Sequence, residues 1–445
     1  MALLVQGMDY SESLKYLLGL GHEVLAAKYG LENITLLLER LGRPDRAYKS
    51  IIVAGTNGKG SVAAMIESIV RAAGHRTALY TSPHLIRIEE RIRAGSSSIS
   101  ESDFARLATD VRAACEALVN DGSLPALPTF FEQVTAIALL YFRECKVEIA
   151  ILEVGLGGRL DATNAVAPLV SVVTSIDYDH QAILGNSIEE IAQEKAGVIK
   201  AGSRAVIGRQ HHEAATEVLM RRCLEMSVLP VFANQPAEIS FNDYGRTTFD
   251  YESSKNTYRR VMLGLRGKHQ AENAASAIEA AELLQDLGYS IPREAIIKGL
   301  RDIRWPGRLE LIEDRPALLL DGAHNTAGAR SLRKYLDEFW RKPVTLVFGA
   351  MNDKDVEGMA SELFGVASTL VLTRVRDARA ASTARLGKPA LGFSKNVIFT
   401  ESVKQALSWA RSVTRPDGLI CVAGSLYLVG EVKRLIEEED RQPRL

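Results

Sequence analysis

The sequence predicts an α/β protein built on parallel sheets, and three features of its 445 residues support this prediction. Short apolar runs that favour strands alternate along the chain with segments of helical periodicity, as expected of βαβ units. Two of these runs, Val147–Val154 and Leu169–Ile176, are apolar almost throughout, as in strands buried on both faces of a sheet. The alternation stops at Arg304–Arg308 and then starts again, which indicates two domains, 1–304 and 305–445.

Each element of the larger predicted domain depends on a local pattern. Strands are predicted where a short apolar, often β-branched run ends at a turn, and helices where apolar residues recur every three to four positions. The helix that ends at Ala196 also has a capping box formed by Ser187 and Glu190, followed by a glycine stop. The other predicted strands are Lys49–Ala54 and Thr77–Thr81, and the predicted helices are Ser61–Ala73, Thr129–Phe142, Ser187–Ala196 and Ala271–Leu287.

The pattern changes in the segment Thr247–Leu265. Apolar and polar residues alternate there with the period of half-buried strands, which predicts a small antiparallel β-ribbon. The pair Pro306–Gly307 then marks the domain boundary, and a smaller, Rossmann-like α/β domain follows. Its predicted strands are Ala317–Leu320, Val344–Phe348, Leu370–Thr373 and Leu419–Val422.

Composition and charge exclude several classes of protein. With 54 Lys and Arg against 55 Asp and Glu, no overall basic field would attract nucleic acid or an anionic membrane. The four cysteines are scattered without a C-x-x-C pair, which argues against a disulfide framework or a zinc knuckle. The longest apolar run is shorter than the roughly 20 residues that cross a bilayer, and the N-terminus lacks the features of a signal peptide. We therefore expect a cytoplasmic protein without a nucleic-acid or membrane partner.

The clearest motif is the loop Gly55–Ser61, which lies between a predicted strand and a predicted helix. Small residues allow backbone N–H groups to surround phosphate oxygens, and the helix N-terminus attracts anions. In this loop Lys59 could reach the β- and γ-phosphates of a nucleotide, and Ser61 could approach Mg²⁺. The loop departs from the usual phosphate-binding pattern because Gly60 separates Lys59 from Ser61, and an ordinary glycine turn is the alternative interpretation.

Three further segments place possible cation ligands at strand ends. Ser82 follows one predicted strand, Glu153 ends the next, and His180 lies just after a third. Ligands of open α/β sheets bind outside the carboxyl ends of the strands, and Mg²⁺ prefers oxygen donors. The residues alone leave alternatives open: Glu153 could cap a neighbouring loop, and His180 could be a loop histidine or a proton carrier. Lys195 is most simply interpreted as a solvated lysine in the last turn of a helix.

Taken together, these segments resemble the folylpolyglutamate synthase/dihydrofolate synthase family, a branch of the Mur-type amide ligases. The matches cover nearly the whole chain in the order of the family, which is more specific than any single motif. They are GTNGKGS at 55–61, TSPHL at 81–85, FFE at 130–132, ILEVGLGGRLDATN at 151–164, SIDYDHQAILG at 175–185, EKAGVIK at 194–200, HQAENAASAI at 269–278, WPGRLE at 305–310, DGAHN at 321–325, FGAMNDKD at 348–355 and AGSLYLVGEV at 423–432.

The resemblance implies a Mur-ligase-like P-loop ATPase domain followed by a glutamate-ligase domain that closes over the nucleotide. The activity it implies is the ATP-dependent addition of L-glutamate to dihydropteroate and to tetrahydrofolates, through an acyl phosphate. The cofactors would be ATP, two Mg²⁺ ions and a CO₂-derived carbamate on Lys195, which would turn a cation into a metal-binding anion. The family also suggests a monomer.

The resemblance assigns roles to residues as well. The ATP-binding residues would be Gly55, Thr56, Asn57, Gly58, Lys59, Gly60, Ser61, Asn273, Arg308 and Asp321. The metal ligands would be Ser82, Glu153, His180 and carbamylated Lys195, and the catalytic residues Lys59, Lys195, Asp161 and His324. The pterin pocket would contain Thr129, Phe130, Phe131, Glu132, Leu160, Asp161 and Ala162. The base that accepts a proton from the glutamate amine is not assigned, and Asp161 and His180 are candidates.

This interpretation has four alternatives, and the sequence argues against all but the first. A monofunctional folylpolyglutamate synthase would carry the same motifs. A peptidoglycan Mur ligase would need a further N-terminal domain, for which we expect the 54 residues before Gly55 to be too few. A P-loop kinase would phosphorylate a hydroxyl and would not need the domain that contains DGAHN. A non-catalytic nucleotide-binding protein would not need Lys59, Glu153, His180 and Lys195.

Overall fold

The structure is a computed structural model that describes residues 7–21, 30–242, 245–312, 315–340, 342–392 and 396–441. In these residues the strands form an eight-stranded sheet, a three-stranded ribbon and a six-stranded sheet. Both larger sheets are mainly parallel and covered by helices, so the predicted α/β fold class is confirmed. The first six residues, which contribute to the prediction about a signal peptide, lie outside the described residues.

The eight-stranded sheet belongs to the larger domain. Its strands are β1 Lys49–Ala54, β2 Thr77–Tyr80, β3 Ile92–Ala94, β4 Ser97–Ser98, β5 Ile149–Glu153, β6 Val170–Val173, β7 Arg204–Ile207 and β8 Pro230–Phe232. They lie in the order β4-β3-β2-β5-β1-β6-β7-β8, and every pair from β2 to β8 is parallel. Strands β3 and β4 add an antiparallel edge. The three most apolar strands, β1, β5 and β6, therefore lie in the middle of the sheet.

Helices cover both faces of this sheet. They are α1 Tyr10–Gly19, α2 Glu32–Arg40, α3 Lys59–Ala72, α4 Glu101–Asn120, α5 Phe130–Glu144, α6 Gln181–Leu184, α7 Ile188–Ala196, α8 Glu213–Glu225, α9 Lys268–Asp286 and α10 Arg293–Asp302, with 3₁₀ turns at Pro44–Arg46, Ile88–Arg91 and Ala162–Ala165. Alternate residues of β1 serve opposite faces: Ile51 and Val53 pack in the cluster with α3 and α9, whereas Ile52 packs in the cluster with α7. This two-sided burial explains why the central strands contain few polar residues.

A three-stranded antiparallel ribbon connects the larger sheet to the last helices of the larger domain. It consists of β9 Ala237–Phe241, β10 Arg246–Glu252 and β11 Thr257–Arg266, in the order β11-β10-β9. Phe249 and Tyr251 of β10 are buried in the same cluster as the apolar residues of α9, whereas Asp250 between them is less buried and points to the other face. The predicted ribbon is thus confirmed, and β9 is a third strand that the sequence pattern does not predict.

The six-stranded sheet forms the smaller domain. Its strands are β12 Glu310–Ile312, β13 Ala317–Leu320, β14 Val344–Phe348, β15 Ala367–Thr373, β16 Val397–Thr400 and β17 Leu419–Ala423, in the order β12-β13-β17-β14-β15-β16. All its pairs are parallel except β12 with β13. Its helices are α11 Thr326–Phe339, α12 Val356–Leu363, α13 Thr383–Ala390, α14 Val403–Val413 and α15 Leu426–Arg441, with a 3₁₀ turn at Phe364–Val366.

Candidate active site

Loops from both domains meet between the two large sheets. The loop that begins at Gly55 follows β1, Ser82 follows β2, Glu153 ends β5, and the segment to His180 follows β6. Because these strands are parallel and adjacent, their carboxyl ends share one edge of the sheet. The DGAHN loop after β13 faces this edge from the smaller domain. Together these segments line a cavity of about 1030 Å³, and the structure thus brings the sequence-predicted nucleotide and metal residues together.

The loop Gly55–Ser61 turns sharply from β1 into α3. Gly58 is the N-cap of α3 with φ 86, and a Cβ at this position would lie 2.3 Å from Oδ1 of Asn273. Glycine is therefore required there, and α3 begins at Lys59, earlier than the periodicity predicts. The Lys59 ammonium donates hydrogen bonds to two carbonyl oxygens of its own loop, each at 3.1 Å. Burial lowers the pKa of Lys59, although the carboxylate of Glu153 opposes this effect.

Polar contacts fasten the same loop to the segment after β6. The Thr56 hydroxyl donates to the carbonyl oxygen of Asp177 at 3.0 Å. The carbonyl oxygen of Asn57 accepts a hydrogen bond from the Thr174 hydroxyl at 2.7 Å. Ser61 is buried in the first turn of α3. These contacts fix the loop backbone, and the roles of its residues in nucleotide binding stay predictions.

Glu153 is a buried carboxylate that faces the loop. Its side chain accepts the backbone N–H of Ser82 at Oε2, 3.1 Å away, and the residue is 5% exposed. A Cβ at Gly60 would lie 3.2 Å from each carboxylate oxygen, so the loop backbone approaches Glu153 closely. Burial raises the pKa of Glu153, and the charge of Lys59 opposes this rise. Ser82 and Glu153 offer oxygen donors beside the phosphate loop, which is a donor set that fits Mg²⁺.

Lys195 lies inside the molecule, at the floor of the same cavity. The residue is 4% exposed, and its ammonium donates to the carbonyl oxygen of Gly55 at 2.8 Å. Burial lowers the pKa of Lys195 to about 7, and the nearby charge of Lys59 lowers it further. The interpretation of Lys195 as a solvated lysine is therefore wrong. The helix C-terminus that favours an exposed cation here faces the protein interior.

A polar network joins the two domains above the loop. The Lys354 ammonium donates to Oδ1 of Asp179 at 2.7 Å and lies 3.1 Å from Nε2 of His180. The Asn325 amide donates to Oδ2 of Asp179 at 3.2 Å and to Oδ1 of Asn57 at 3.0 Å. Lys354 and Asn325 belong to the smaller domain, and their partners to the larger. Burial lowers the pKa of His180 to about 4, although the carboxylate of Asp179 opposes this shift.

The other predicted residues of the smaller domain also face this cavity. Asp321 accepts the backbone N–H groups of Leu309 and Ala323, each at 2.9 Å, and thereby holds its own loop against the turn that precedes β12. Burial raises the pKa of Asp321, and the charge of Arg308 opposes the rise. His324 places Nδ1 2.8 Å from a carbonyl oxygen of its own loop. Arg308 and His324 line the cavity directly.

A second cavity of about 770 Å³ adjoins the first and shares several lining residues with it. Most of its lining is apolar. Five of the predicted pterin-pocket residues line it, namely Phe131, Glu132, Leu160, Asp161 and Ala162. Thr129 and Phe130 are not among its lining residues. Thr129 forms a capping box with Glu132 at the start of α5, and the ring of Phe130 lies under the Arg91 guanidinium, 5.4 Å away.

Asp161 is fully engaged in hydrogen bonds with its own loop. Oδ2 accepts the backbone N–H groups of Gly155 and Leu156, at 3.0 and 2.9 Å. Oδ1 accepts the backbone N–H and the hydroxyl of Thr163, at 3.0 and 2.5 Å. Burial raises the pKa of Asp161, and these hydrogen bonds oppose the rise. The geometry thus favours a role for Asp161 in shaping the loop between the two cavities over a role as proton acceptor.

Four further residues of the smaller domain belong to the site and were not predicted. They are Asn325, Lys354, Arg379 and Tyr427, which line one or both cavities. Each follows a strand of the six-stranded sheet at its carboxyl end. The sequence predicts all four of these strands, and ligands bind beyond the carboxyl ends of parallel strands. The four residues could therefore have been found from their positions just after the predicted strands.

Three further observations concern cysteines, metal clusters and membrane spans. All four cysteines are free. Within the residues that the structure describes, no group of three or more His, Cys, Asp or Glu side chains is arranged to hold a metal ion by itself. No helix in the described ranges is long and apolar enough to cross a membrane.

Comparison with known families gives matches along both domains. The family profile described as Mur ligase middle domain matches residues 53–281, and the profile described as Mur ligase, glutamate ligase domain matches residues 307–426. A Bacillus subtilis (strain 168) protein named dihydrofolate synthase/folylpolyglutamate synthase is 35% identical over 425 residues, which span 94% of this chain and 97% of the relative.

Solved structures also match the chain over nearly its full length. A Mycobacterium tuberculosis folylpolyglutamate synthase complexed with ADP has a TM-score of 0.88 and 30% identity, and the match covers 97% of this chain and 100% of that one. A bifunctional folylpolyglutamate synthase/dihydrofolate synthase with Mn, AMPPNP and L-glutamate bound has a TM-score of 0.84 at 30% identity, covering 97% and 98% of the two chains. With motifs, fold and both domain profiles in agreement, the chain belongs to the folylpolyglutamate synthase/dihydrofolate synthase family of Mur-type ligases.

Proposed function

We propose that this protein is an ATP-dependent ligase that adds L-glutamate to dihydropteroate and to tetrahydrofolates. The observation that carries this proposal is the junction of two cavities with different chemistry. One contains a phosphate loop, a buried carboxylate, the buried Lys195 and the half-buried Lys59, and the other is mostly apolar and large enough for a pterin ring system. A carboxylate at the end of a pterin substrate would therefore meet the terminal phosphate of ATP where the cavities join. The nucleotides in the related structures support this arrangement.

The reaction has two chemical steps. A carboxylate oxygen of the substrate attacks the γ-phosphorus, the bond to the β-phosphate oxygen breaks, and ADP leaves with an acyl phosphate formed. The nitrogen of L-glutamate then attacks the acyl carbon, phosphate leaves, and the amine loses a proton. Lys59 offsets charge that develops on the transferred phosphoryl group, and such preorganised contacts are often the largest contribution to catalysis. Contacts between the domains keep water from the hydrolysable intermediate.

The magnesium proposal depends on oxygen donors next to the phosphate loop. Ser82 and Glu153 would hold the ion, which when bound neutralises phosphate charge and orients the transferred group. The family resemblance implies that His180 is a further ligand of the ion. In this structure its Nε2 is hydrogen-bonded to Lys354, so ligation by His180 requires that contact to break. A manganese ion in a related structure supports a divalent metal in this family.

We also propose that Lys195 is carbamylated. The lysine nitrogen would attack the carbon of CO₂ and lose one proton, so that a neutral amine becomes an anionic carbamate. Three features support this proposal: the side chain is buried, it lies close to the like charge of Lys59, and its ammonium donates to the carbonyl oxygen of Gly55 instead of to a carboxylate. A buried ammonium in such surroundings is costly, and burial favours its neutral form. The carbamate would provide the anion needed for a second Mg²⁺.

The division into domains 1–304 and 305–445 is part of the proposal. Helix α10 ends at Asp302 and β12 begins at Glu310, so only seven residues connect the two units. The first family profile ends at residue 281, before this segment, and the second begins within it, at residue 307. The monomeric state and the cytoplasmic location stay predictions.

The proposed function can be tested with the purified full-length protein, ATP, Mg²⁺ and L-glutamate. Dihydropteroate and tetrahydrofolate are offered separately, and the products are resolved by mass. A mass increase of one glutamate residue on dihydropteroate, and of one or more on tetrahydrofolate, supports both activities. Extension of tetrahydrofolate alone would identify the monofunctional alternative. ADP formation without an amide product would contradict the proposal and favour a kinase or a simple ATPase.

A further inference from the structure

The carboxyl edge of the six-stranded sheet carries a row of loops in the order of its strands. Strands β13, β17, β14 and β15 are neighbours, so the loops that follow them lie side by side. The loop after β13 faces the nucleotide cavity, and the loops after β17 and β14 line both cavities. The loop after β15 is the outermost of the four. Neither the nucleotide site nor the pterin site accounts for its composition.

This outermost segment is strongly basic. Residues 374–388 contain four arginines and one lysine against a single acid, Asp377. Arg379 neutralises Asp377 through two hydrogen bonds, at 3.1 and 3.0 Å. Arg374 and Arg376 are exposed on either side of the buried Val375. Neither side chain forms an ion pair with another residue in the described part of the chain, although the carboxylate of Glu431 accepts the backbone N–H of Arg376.

Arg379 connects the basic segment to the second cavity. Its guanidinium lies over the ring of Tyr427, 5.3 Å from the centroid, and donates to the Tyr427 hydroxyl at 3.0 Å. Both side chains line the cavity. The backbone N–H of Arg376 donates to Glu431, one helical turn beyond Tyr427 on α15. Arg374 and Arg376 do not line the cavity themselves but precede Arg379 in the same loop, which is fastened to α15 next to Tyr427.

The strand order gives an approximate distance between the basic segment and the DGAHN loop, which faces the nucleotide cavity. The loop after β15 is three strand positions from the loop after β13, and neighbouring strands are about 4.8 Å apart, so these two loops are about 14 Å apart. A γ-linked glutamate residue spans roughly 6 Å when extended, by ordinary bond lengths. A chain of two to three such residues therefore spans the distance between the two loops.

We propose that Arg374 and Arg376 bind the γ-linked oligoglutamate tail of a folate substrate. In such a tail each residue uses its γ-carboxyl in the amide bond and keeps its α-carboxylate, so each addition contributes one negative charge. Guanidinium groups bind carboxylates well, including in bidentate geometry. The tail of a growing substrate would leave the cavity past Arg379 and lie against the two exposed arginines. This inference rests on the proposed function, since it concerns substrates that the enzyme has already extended.

The two substrates of the proposed reaction provide an internal comparison. Dihydropteroate has a single carboxylate, which must be at the reacting centre, and it has no tail. Its use should therefore be independent of Arg374 and Arg376, whereas the use of a folate triglutamate should depend on them. Because the arginines are exposed, their contribution should weaken as salt increases.

The test uses the double variant Arg374→Gln/Arg376→Gln in the full-length protein. Its matched control is Arg204→Gln/Arg221→Gln, which removes two exposed arginines of the larger domain and changes the net charge equally. We expect KM for tetrahydropteroyl-triglutamate to rise by about 5- to 20-fold, from the size of exposed charge contacts, with little change in kcat. KM for dihydropteroate should stay within twofold of wild type, and the longest product should be shorter. The control variant should behave as wild type.

A binding measurement separates this inference from the proposed function. Quenching of protein fluorescence by pteroyl-triglutamate and by pteroic acid is measured without ATP at low and high salt. If the double variant binds pteroyl-triglutamate more weakly but binds pteroic acid as wild type does, the tail site is supported even if no ligase activity is found. Equal weakening of both ligands, or unchanged KM and affinity for the triglutamate, would overturn it. If the wild-type protein shows no ligase activity, the proposed function is contradicted, but the tail site is not.

Discussion

Lys195 lies in the last turn of α7, where local rules favour an exposed cation, and yet it is only 4% exposed. The sequence reveals the end of a helix but not what packs against it. The glycine that follows, Gly197, lies against Arg159, where a Cβ would be 2.4 Å from the Arg159 side chain. Tertiary contacts of this kind decide which side of a helix end faces solvent, and they leave no local pattern. Only the family resemblance indicated that Lys195 is functional.

The first residue-scale prediction concerns Lys195. Lys195→Met and Lys195→Arg should each lower kcat by about 10²–10³, because neither side chain can become a carbamate and one electrostatic contact in the transition state is lost. The exposed Lys404→Met serves as a control and should have wild-type turnover. Activity is measured as glutamate incorporation in CO₂-depleted buffer with and without bicarbonate. Normal turnover of Lys195→Arg, or an absence of any bicarbonate effect on wild type, would contradict carbamylation.

Glu153→Gln tests the proposed metal ligand. The substitution removes the charge of the side chain but keeps its shape and its ability to accept the Ser82 N–H. We therefore expect saturation at a higher Mg²⁺ concentration, together with a lower maximal rate, whereas the affinity for AMPPNP measured without metal should change little. Saturation at the same Mg²⁺ concentration in both proteins would show that Glu153 does not bind the ion.

At the scale of elements, strands whose apolar runs end in clear turns were predictable. β1, β13 and β14 have the predicted bounds for this reason. β7 and β8 were not predicted: they have only four and three residues and begin with Arg204 and Pro230, which are not typical of a strand. The start of α3 was predicted two residues late because its first turn belongs to the phosphate loop and lacks apolar residues. In the site, the loops after predicted strands could be found, including those that carry Lys354 and Arg379, whereas the contacts of these two side chains with the larger domain and with α15 required the folded structure.

Helix α9 and the ribbon share a buried carboxylate that makes the stability of this element pH-dependent. Oε1 of Glu279 accepts the Tyr251 hydroxyl at 2.6 Å. Burial raises the pKa of Glu279 from 4.5 to about 7, and the charge of Glu282 adds to this effect. The folded state therefore binds a proton that the unfolded state has released between these pH values. The associated stability is present below pH 4.5 and is lost as the pH rises through 7, by at most about 3 kcal/mol.

Glu279→Gln should remove this pH dependence. The amide can still pair with Tyr251 and carries no charge, so the variant should be more stable than wild type at pH 8, with a smaller or reversed difference at pH 5. For a protein of this size each kcal/mol corresponds to about 2–4 °C or less in Tm. Thermal unfolding at both pH values measures the effect, with the exposed Glu225→Gln as the control. If the difference in Tm between Glu279→Gln and wild type is the same at pH 5 and pH 8, Glu279 does not titrate in this range.

In the whole molecule, the two domains approach closely at Gly430 of α15. A Cβ at this position would lie 2.0 Å from the carbonyl oxygen of Leu85, which belongs to the loop after β2. Gly430→Ala should therefore push the domains apart without unfolding either of them. Overpacking of this kind costs typically about 1–3 kcal/mol, which corresponds to roughly a 5- to 100-fold loss in kcat/KM if the closed arrangement is the active one.

Small-angle scattering and kinetics together test this prediction. The radius of gyration of Gly430→Ala should exceed that of wild type, and the circular dichroism spectrum should be unchanged. Gly392→Ala is a suitable control, because a Cβ at residue 392 meets nothing within 4 Å. Wild-type kcat/KM in Gly430→Ala would show that this contact between the domains is not needed for the reaction.

The second cavity has walls from both domains and shares lining residues with the cavity that holds the phosphate loop. In the proposed reaction the acceptor carboxylate must occupy the same point beside the phosphates in every cycle. Each new residue moves the acceptor one step further from the pterin ring. The substrate therefore has to shift by one glutamate residue, relative to the phosphate loop, after every turnover. A long product must either withdraw its ring from the cavity or fold its tail outward, and the choice between these two movements sets whether elongation is processive or distributive.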